Sequence, residues 1–509
     1  MNRDRYSSRL GMMLVMLGMA VGTGNIWRFP RIAASNGGGE FLVAWIVFLF
    51  LWSIPLVLVE FGMGRQTRRG PIGAFIQLMG PRWAWMGAFI ALATAAIMSY
   101  YSVVAGWTLR YALAAIFGQL GEGQPSHFWT EFTSSWLPVI THGIAIGLAT
   151  LVVARGVLGI ERIARVLMPA FIGLVFLLMV RAVTLPGATE GLAYLFGVDW
   201  GELARAELWI EALTQNAWDT GAGWGLALCY AAYLREEDDT ALNAFILPAA
   251  NNILSLMAGI MVICTVFSVV PNILNNFAID PRSLDAYPLL AESVNQGRGL
   301  TASLLQETIF GAGNEGLTFI WMPQLFATIP FGNVFMVLFF SALAFAAFTS
   351  LIAMVELVTR VLIDLNMSRK QSAAIVGVGA FLLGFPSSVS LIILRNQDWV
   401  WGMALMLSGL FLAIAVMKYG VRKFRECQLN HESSDIRIGS WWDLTIRFIV
   451  PIEASVLFFW WLGQARSLDP VGWLSPFSEA NVGTVLVQIG LALVVVIVAN
   501  RWLVTRTRT

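Results

Sequence analysis

Apolar runs of about 20 residues, each long enough to cross a bilayer as a helix, recur along the whole chain. They constrain the fold more than any other feature, because lipid offers no hydrogen-bond partners and a spanning run must satisfy its own backbone groups. Charged residues make up only 12% of the chain, about half the share typical of a soluble domain. The sequence therefore predicts an all-α integral membrane protein with the lipid bilayer as its main partner.

About twelve membrane segments are predicted from these runs. They lie near residues 11–34, 40–64, 84–117, 137–154, 164–182, 208–233, 241–271, 333–364, 372–394, 399–420, 446–464 and 482–503. Lys and Arg are concentrated in the loops after segments two, four, eight and ten, and the alternate loops are poor in both. By the positive-inside rule, this pattern places both termini on the cytoplasmic side of the cell membrane.

The loop at residues 272–332 is long and carries apolar stretches of its own at 300–310 and 317–329. A loop of this length in a compact protein is usually functional. We expect it to lie outside the cell, as a cap over an external vestibule.

Composition and charge argue against other classes of function. A net charge of +1 gives no basic field, so no nucleic-acid partner is expected. The cysteines Cys229, Cys264 and Cys427 show neither a disulfide framework nor metal-ligand spacing. The sequence contains no phosphate-binding loop and no nucleophile–base pair, so it does not predict an enzyme.

Two of the predicted segments are interrupted by glycine. Segment one reads AVGTGN over residues 20–25, and segment six reads WDTGAGWG over 218–225. The two lie five segments apart, so they enter the membrane in opposite directions. Matched breaks of this kind are typical of the midplane binding site of an inverted-repeat transporter, because they leave backbone groups free for a ligand. The alternative is glycine that only allows close helix packing.

Segment one carries the run GTGNIWRFP over residues 22–30, preceded by RLG at 9–11 and followed by NGGG at 36–39. With EFGMGR at 60–65 and GIER at 159–162, these motifs closely resemble the neurotransmitter:sodium symporter family. The short loop at 118–136 resembles that of prokaryotic members.

The resemblance implies a leucine-transporter-like fold. In that fold two inverted five-helix repeats, here about 9–182 and 208–420, contain the discontinuous helices one and six. The transporter core would occupy residues 1–425, and two peripheral helices and a C-terminal tail would occupy 426–509.

The resemblance also implies two sodium sites. The first would be formed by Ala20, Asn25, Asp219 and Asn251. The second would be formed by Gly18, Val21, Ala346, Thr349 and Ser350. Family members usually carry Thr or Ser where this chain has Asp219, whose carboxylate either binds sodium or only fixes the broken turn. The alternative for the two hydroxyls of the second site is a bond to the preceding helical turn.

A substrate pocket between the broken segments follows from the same resemblance. Its residues would be Ala20, Gly22, Thr23, Gly24, Ile97, Tyr101, Trp218, Asp219, Gly221, Trp224, Ser350 and Met354, with Met19 also in its wall. Gly22 stands where monoamine transporters of the family carry an Asp, which favours an amino acid whose own carboxylate completes the site. Gly221 replaces a family Ser that helps to bind the amine.

Charged residues at the segment ends resemble the gates of the family. The external gate would be formed by Arg28 and Asp398, and the cytoplasmic gate by Arg3, Asp364 and Tyr233. Glu60 of segment two is expected to cap the broken sixth helix.

Chloride-dependent family members hold the anion with residues equivalent to Gln215 and Ser255. Here Trp45 replaces the family's Tyr, and Asp219 brings a carboxylate into the same small volume. Two negative charges about 4–5 Å apart repel by several kcal/mol even at an effective dielectric constant of 20. Asp219 is therefore predicted to act, beside Gln215 and Ser255, as a built-in counter-charge that makes transport independent of chloride.

The sequence thus predicts a sodium-coupled secondary active symporter that imports a neutral amino acid or a close analogue by alternating access. The alternatives are a proton-coupled amino-acid transporter that uses Asp219, and a membrane sensor that binds the amino acid without moving it. The sequence does not indicate the oligomeric state.

Overall fold

A computed structural model describes residues 5–120, 125–279, 288–297, 301–431 and 434–507. Within these ranges the regular elements are helices, and no strand occurs. The predicted all-α architecture is confirmed.

The described part of the first half of the chain contains eleven α-helices, some with short π-helical or 3-10 turns. They are α1 Arg9–Ala20, α2 Gly24–Ser35, α3 Gly39–Thr67, α4 Pro71–Met79, α5 Pro81–Ile116, α6 Pro125–Thr133, α7 Leu137–Val153, α8 Val157–Val183, α9 Ala188–Phe196, α10 Ala206–Asp219 and α11 Leu226–Ala231.

The second half begins with the longest helix of the described chain. The described helices of this second half are α12 Thr240–Ile279, α13 Pro288–Asn295, α14 Ala302–Gly311, α15 Gly313–Glu315, α16 Met322–Ala327, α17 Gly332–Asp364, α18 Arg369–Val389, α19 Leu391–Tyr419, α20 Val421–Phe424, α21 Trp441–Ser467, α22 Val482–Val498 and α23 Asn500–Arg506.

Eight helices of the described chain are each long and apolar enough to cross a membrane, and three bent pairs raise that number to eleven. The pair α1 and α2 bends by 53° at residues 21–23. The sixth predicted segment is not among these eleven spans, because it consists of the two short helices α10 and α11, of 14 and 6 residues. All twelve predicted segments therefore correspond to helices.

Burial separates the central helices from the peripheral ones. In α5 and α19, 78% of the most apolar window is buried, whereas the values for α8 and α21 are 28% and 33%. An apolar helix with so much uncovered surface is suited to lipid. The cavity described below is lined by the well-buried helices and by the two broken segments.

The described residues between α12 and α17 form short helices, among them α14, α15 and α16. Asn314 Oδ1 accepts a hydrogen bond of 2.8 Å from Arg31 Nε on α2. Glu315 forms an ion pair of 3.4 Å with Arg395 at the start of α19. Asn314 and Glu315 also line the cavity described below, so this part of the region lies beside it. Its placement outside the cell stays a prediction, as do the repeat bounds and the division at residue 425.

Candidate functional site

The break in the first segment begins where α1 ends. Val21 takes an extended conformation, with φ −76° and ψ 113°, so it cannot continue the helix. The N–H of Gly22 then donates to the side-chain Oδ1 of Asn25 at 2.8 Å. A Cβ on Gly22 would lie 3.0 Å from both Ser350 Oγ and Tyr101 Oη, so little room exists there for an aspartate.

The break in the sixth segment depends on glycine conformation. Gly221, Gly223 and Gly225 have φ values of +71°, +89° and +76°, in the left-handed region that other residues rarely adopt. The buried carboxylate of Glu60 accepts hydrogen bonds from the N–H groups of Gly223 at 2.7 Å and Leu228 at 3.0 Å. The predicted cap of the sixth helix is confirmed.

A cavity of about 870 Å³, including its mouth, lies between the two breaks. The predicted substrate residues that line it are Ala20, Gly22, Thr23, Gly24, Tyr101, Trp218, Asp219, Gly221, Trp224, Ser350 and Met354, together with Met19. Ile97 does not belong to this lining. Its side chain is fully buried in the hydrophobic core of the protein.

Several lining residues were missed by the sequence reasoning. They are Trp27, Tyr100, Val104, Leu226, Asn314, Glu315, Leu394 and Arg395. Helical periodicity would have found some of them, because Val104 and Leu394 lie one turn from Tyr101 and Asp398. Asn314 and Glu315 lie in the region expected to form the cap.

Asp219 lies at the end of α10 and is 3% exposed. Its Oδ2 accepts hydrogen bonds from Ser255 Oγ at 2.6 Å, Asn25 Nδ2 at 3.3 Å and Asn251 Nδ2 at 3.4 Å. Its Oδ1 is buried and has no hydrogen-bond partner among the described residues. A Cβ on Gly24 would lie 3.1 Å from this oxygen, so the glycine leaves space beside it.

This arrangement suits a hard cation. Sodium, like calcium and magnesium, prefers oxygen ligands such as carboxylates, amide carbonyls and backbone carbonyls. An unpaired buried carboxylate oxygen is costly unless a ligand or a proton compensates it. The structure brings Asn25, Asp219 and Asn251 of the predicted first sodium site into mutual contact. Ala20, the fourth predicted residue, lines the same cavity.

The residues predicted for the second sodium site lie where α17 faces the end of α1. Ser350 Oγ lies 3.4 Å from Gly18 O, and 2.9 Å from Val21 O. Thr349 Oγ1 donates to the carbonyl groups of Phe345 at 3.0 Å and Ala346 at 3.1 Å. This is the bond to the preceding helical turn that the sequence analysis gave as the alternative. A hydroxyl that donates to its own helix still has lone pairs for a cation. The predicted set therefore lies together.

The two residues predicted for the external gate, Arg28 and Asp398, both line the cavity. No ion pair within 4.0 Å joins Arg28 and Asp398, two residues inside the described ranges. The guanidinium of Arg28 instead lies 5.4 Å from the ring centroid of Trp218, a cation–π contact. The two charges are thus not paired directly in this structure, and their role as a gate stays a prediction.

Of the residues predicted for the cytoplasmic gate, Arg3 lies outside the described residues. Asp364 accepts a hydrogen bond of 2.7 Å from Gly70 N and forms an ion pair of 3.4 Å with Arg360. The guanidinium of Arg360 also lies 5.3 Å from the ring centroid of Tyr233. Arg360 therefore links Asp364 to Tyr233.

A neighbouring ion pair was missed by the sequence reasoning. Glu356, fully buried on α17, pairs with Arg369 at 2.7 Å and accepts a hydrogen bond from the Tyr233 hydroxyl. An acidic residue within a predicted membrane segment was the available signal, because such residues are rare unless paired or functional.

Asp398→Ala is expected to reduce uptake by roughly tenfold or more while the protein still inserts and folds. Loss of one partner of a desolvated charge pair typically costs about 2–5 kcal/mol, and here the pair would form only when the cavity closes. Initial uptake rates, normalised to purified protein, measure the effect. Glu207→Gln, at an exposed position of α10, is the control. Wild-type uptake kinetics in Asp398→Ala would contradict a gating role.

The fold and the site define a secondary transporter. It has membrane-spanning helices, two broken helices and, between them, a cavity lined in part by polar residues. The chain matches the model of the sodium:neurotransmitter symporter family over residues 3–136 and 131–506, and it belongs to that family. It is therefore a membrane-embedded, sodium-dependent transporter and not an enzyme. The predictions of family, fold class and absence of enzymatic function are confirmed.

Two relatives and a solved structure agree with this family assignment. An uncharacterized sodium-dependent transporter of Methanocaldococcus jannaschii is 28% identical over 481 residues, which cover 90% of each chain. A Bacillus subtilis relative, the uncharacterized sodium-dependent transporter YhdH, is 29% identical over 89% of this chain and 96% of its own. The crystal structure of MhsT in complex with L-phenylalanine is 29% identical, with a TM-score of 0.74 over 90% of this chain and 99% of MhsT.

Proposed function

We propose that this protein imports a neutral amino acid, or a close analogue, together with sodium by alternating access and without a requirement for chloride. The observation that carries the proposal is the Asp219 carboxylate. One of its oxygens is held by Asn25, Asn251 and Ser255, and the other is buried, unpaired among the described residues and adjacent to the cavity.

Sodium would occupy two sites. At the first, Asp219 Oδ1 and Asn251 Oδ1 supply oxygens, and the carbonyl of Ala20 is available at the end of α1. At the second, the hydroxyls of Thr349 and Ser350 and the carbonyls at the end of α1 supply the ligands. Each positive charge carried inward gains about 2.3 kcal/mol per 100 mV of membrane potential, which can drive accumulation of the substrate.

The substrate carboxylate has a suitable partner in Tyr101. The N–H of Thr23 donates to the tyrosine hydroxyl oxygen at 3.2 Å, so the hydroxyl proton remains free to donate to an anion. The dipole of α2, whose N-terminal end begins at Gly24, also favours a negative group at the same place. This end of the cavity therefore suits the carboxylate of an amino acid.

One wall of the cavity suits an apolar side chain. Trp218 and Trp224 pack edge to face, with ring centroids 5.7 Å apart, and Met354 lies in the same wall. MhsT, similar to this chain over most of its length, binds L-phenylalanine in its crystal structure. An uncharged side chain fits this wall better than a charged one, because these three residues offer a charged group no ion-pair partner.

Independence from chloride follows from the position of Asp219. Ser255, which corresponds to a chloride ligand of the family, donates its hydroxyl to Asp219 at 2.6 Å. The ionised carboxylate thus occupies the place where the serine would meet an anion. With one sodium ion bound at the first site and a zwitterionic substrate, the carboxylate balances the charge without chloride.

Wild-type protein in proteoliposomes is expected to accumulate the substrate with an inward sodium gradient at the same rate in gluconate as in chloride. Radiolabelled neutral amino acids measure uptake, and equimolar choline in place of sodium is the control. A large drop in gluconate would overturn the chloride part of the proposal. Accumulation driven by a proton gradient alone would favour proton coupling, and binding without uptake would favour a sensor.

A further inference from the structure

Two sequence motifs that do not line the cavity, RLG at residues 9–11 and GIER at 159–162, lie close together in the structure. The carboxylate of Glu161, from the GIER motif at the start of α8, is 2% exposed. Its Oε2 accepts a hydrogen bond from Ser7 N at 2.8 Å, and its Oε1 accepts from Ser7 Oγ at 2.7 Å and Ser8 Oγ at 3.5 Å. These bonds attach the segment before α1 to α8.

Arg165, one turn further along α8, completes the cluster. Its Nη2 lies 2.7 Å from Glu161 Oε1 and donates to Ser7 Oγ at 2.6 Å and Ser8 Oγ at 2.7 Å. The arginine therefore balances the buried charge. Each serine is held by both members of the ion pair, so the contact is charge-assisted at both ends.

The sequence at the start of α1 fits this contact. Ser8 caps α1, since its hydroxyl accepts a hydrogen bond from Gly11 N at 3.0 Å. A Cβ on Gly11 would lie 1.8 Å from Glu161 Oε1, so only glycine lets the carboxylate approach. A negative charge at this end of a helix is also favoured by the helix dipole.

The other contacts of the same segment are weaker. The ion pair between Arg5 and Glu236 measures 3.0 Å, but the two side chains are 46% and 81% exposed. Exposed pairs of this kind contribute little. Tyr6 is buried against Tyr233, and its two hydrogen bonds to carbonyls of residues 230 and 233 are long, at 3.4 Å each. Arg9 pairs with Asp435 at 3.8 Å, and these side chains are also exposed, by 49% and 60%. Among the described contacts before and at the start of α1, the Glu161 cluster is therefore the strongest polar attachment.

We propose that Glu161 is a positioning residue that holds α1 against α8 and sets how often α1 moves away. The break at residues 21–23 separates α1 from α2, so α1 can move as one body about the break. When it moves, Glu161 and Arg165 remain paired within α8, and the serines become available to water. The cluster can thus open without leaving a bare charge. The inference rests on the proposed alternating-access cycle.

The test measures exposure of α1 directly. Val15 on α1 is 2% exposed and Val400 on α19 is fully buried, so thiols introduced by Val15→Cys and Val400→Cys are protected while the helices stay packed. In a Cys427→Ser background, the purified full chain is treated with a small charged thiol reagent. Glu161→Gln is expected to raise the labelling rate at position 15 on the order of tenfold and to leave position 400 unchanged.

Arg162→Gln is the matched control, because Arg162 is exposed on the same helix. Ser7→Ala provides a milder test that keeps the Glu161–Arg165 pair and the Ser8 cap, and a rise of severalfold at position 15 is expected. Ser7→Ala decides the matter if Glu161→Gln does not fold. Unchanged labelling at position 15, or an equal rise at both positions, would overturn the inference. The measurement needs no transport, so failure of the proposed function would be seen separately in uptake.

Discussion

Asp219→Asn is expected to lose most sodium-driven uptake in gluconate medium and to regain part of it when chloride is added. The substitution keeps the shape and an oxygen ligand but removes the negative charge. A unit charge about 4 Å from a sodium ion contributes about 4 kcal/mol at an effective dielectric constant of 20. Since each 1.4 kcal/mol is a factor of about ten, a loss well above tenfold is expected.

Recovery by chloride is the specific part of this expectation. Ser255 donates to Asp219 Oδ2, and Gln215 is buried beside them with both side-chain polar atoms unpaired within the described chain. In the asparagine variant these groups face a neutral side chain, so a chloride ion bound beside it can supply the missing negative charge. Initial uptake rates across a chloride titration measure the effect.

Asn252→Asp is the matched control for charge near the site. Asn252 is a buried neighbour of Asn251, and its amide lies 3.5 Å from Asn216 Oδ1. The Asn252→Asp variant keeps Asp219, so its uptake should stay independent of chloride. Full activity of Asp219→Asn in gluconate would show that Asp219 is not the counter-charge. Loss of uptake with no response to chloride would restrict its role to binding sodium.

Much of this site could be predicted because its residues lie next to backbone breaks that glycine makes visible in the sequence. The positive φ values at Gly221, Gly223 and Gly225 are conformations that glycine adopts readily, so the break could be placed without coordinates. Lone polar residues within apolar segments, such as Glu60 and Asp219, stood out because lipid penalises them.

Contacts between distant elements could not be predicted in the same way. Glu161 and Ser7 are separated by 154 positions, and Tyr233 and Glu356 by 123. Their meeting depends on how the helices pack, which periodicity does not specify. Arg28 shows the same limit, since its charge suggested a partner of opposite charge but the neighbouring face of Trp218 holds it in this structure.

Thr349→Val combined with Ser350→Ala is expected to abolish sodium-stimulated substrate binding while the protein still folds. The two changes remove two hydroxyl oxygens from α17 at nearly constant volume. Each lost ligand of a charged group is worth about 1.5–3 kcal/mol, so sodium affinity should fall by about two orders of magnitude or more. Equilibrium binding of radiolabelled substrate to purified protein across a sodium titration measures the change.

A double variant at matched positions separates loss of the ion site from loss of packing. Thr359→Val on the same helix and Ser408→Ala on α19 remove two other buried hydroxyls, and Ser408 donates only to Ala404 O of its own helix among the described residues. This control should keep the sodium response. The expected loss is specific because Ser350 reaches the carbonyls of α1, with Val21 O at 2.9 Å, whereas the control hydroxyls do not. If the Thr349→Val, Ser350→Ala variant keeps the sodium stimulation of the wild type, the hydroxyls of Thr349 and Ser350 are not sodium ligands. The carbonyl groups at the end of α1 would then have to bind sodium together with other residues.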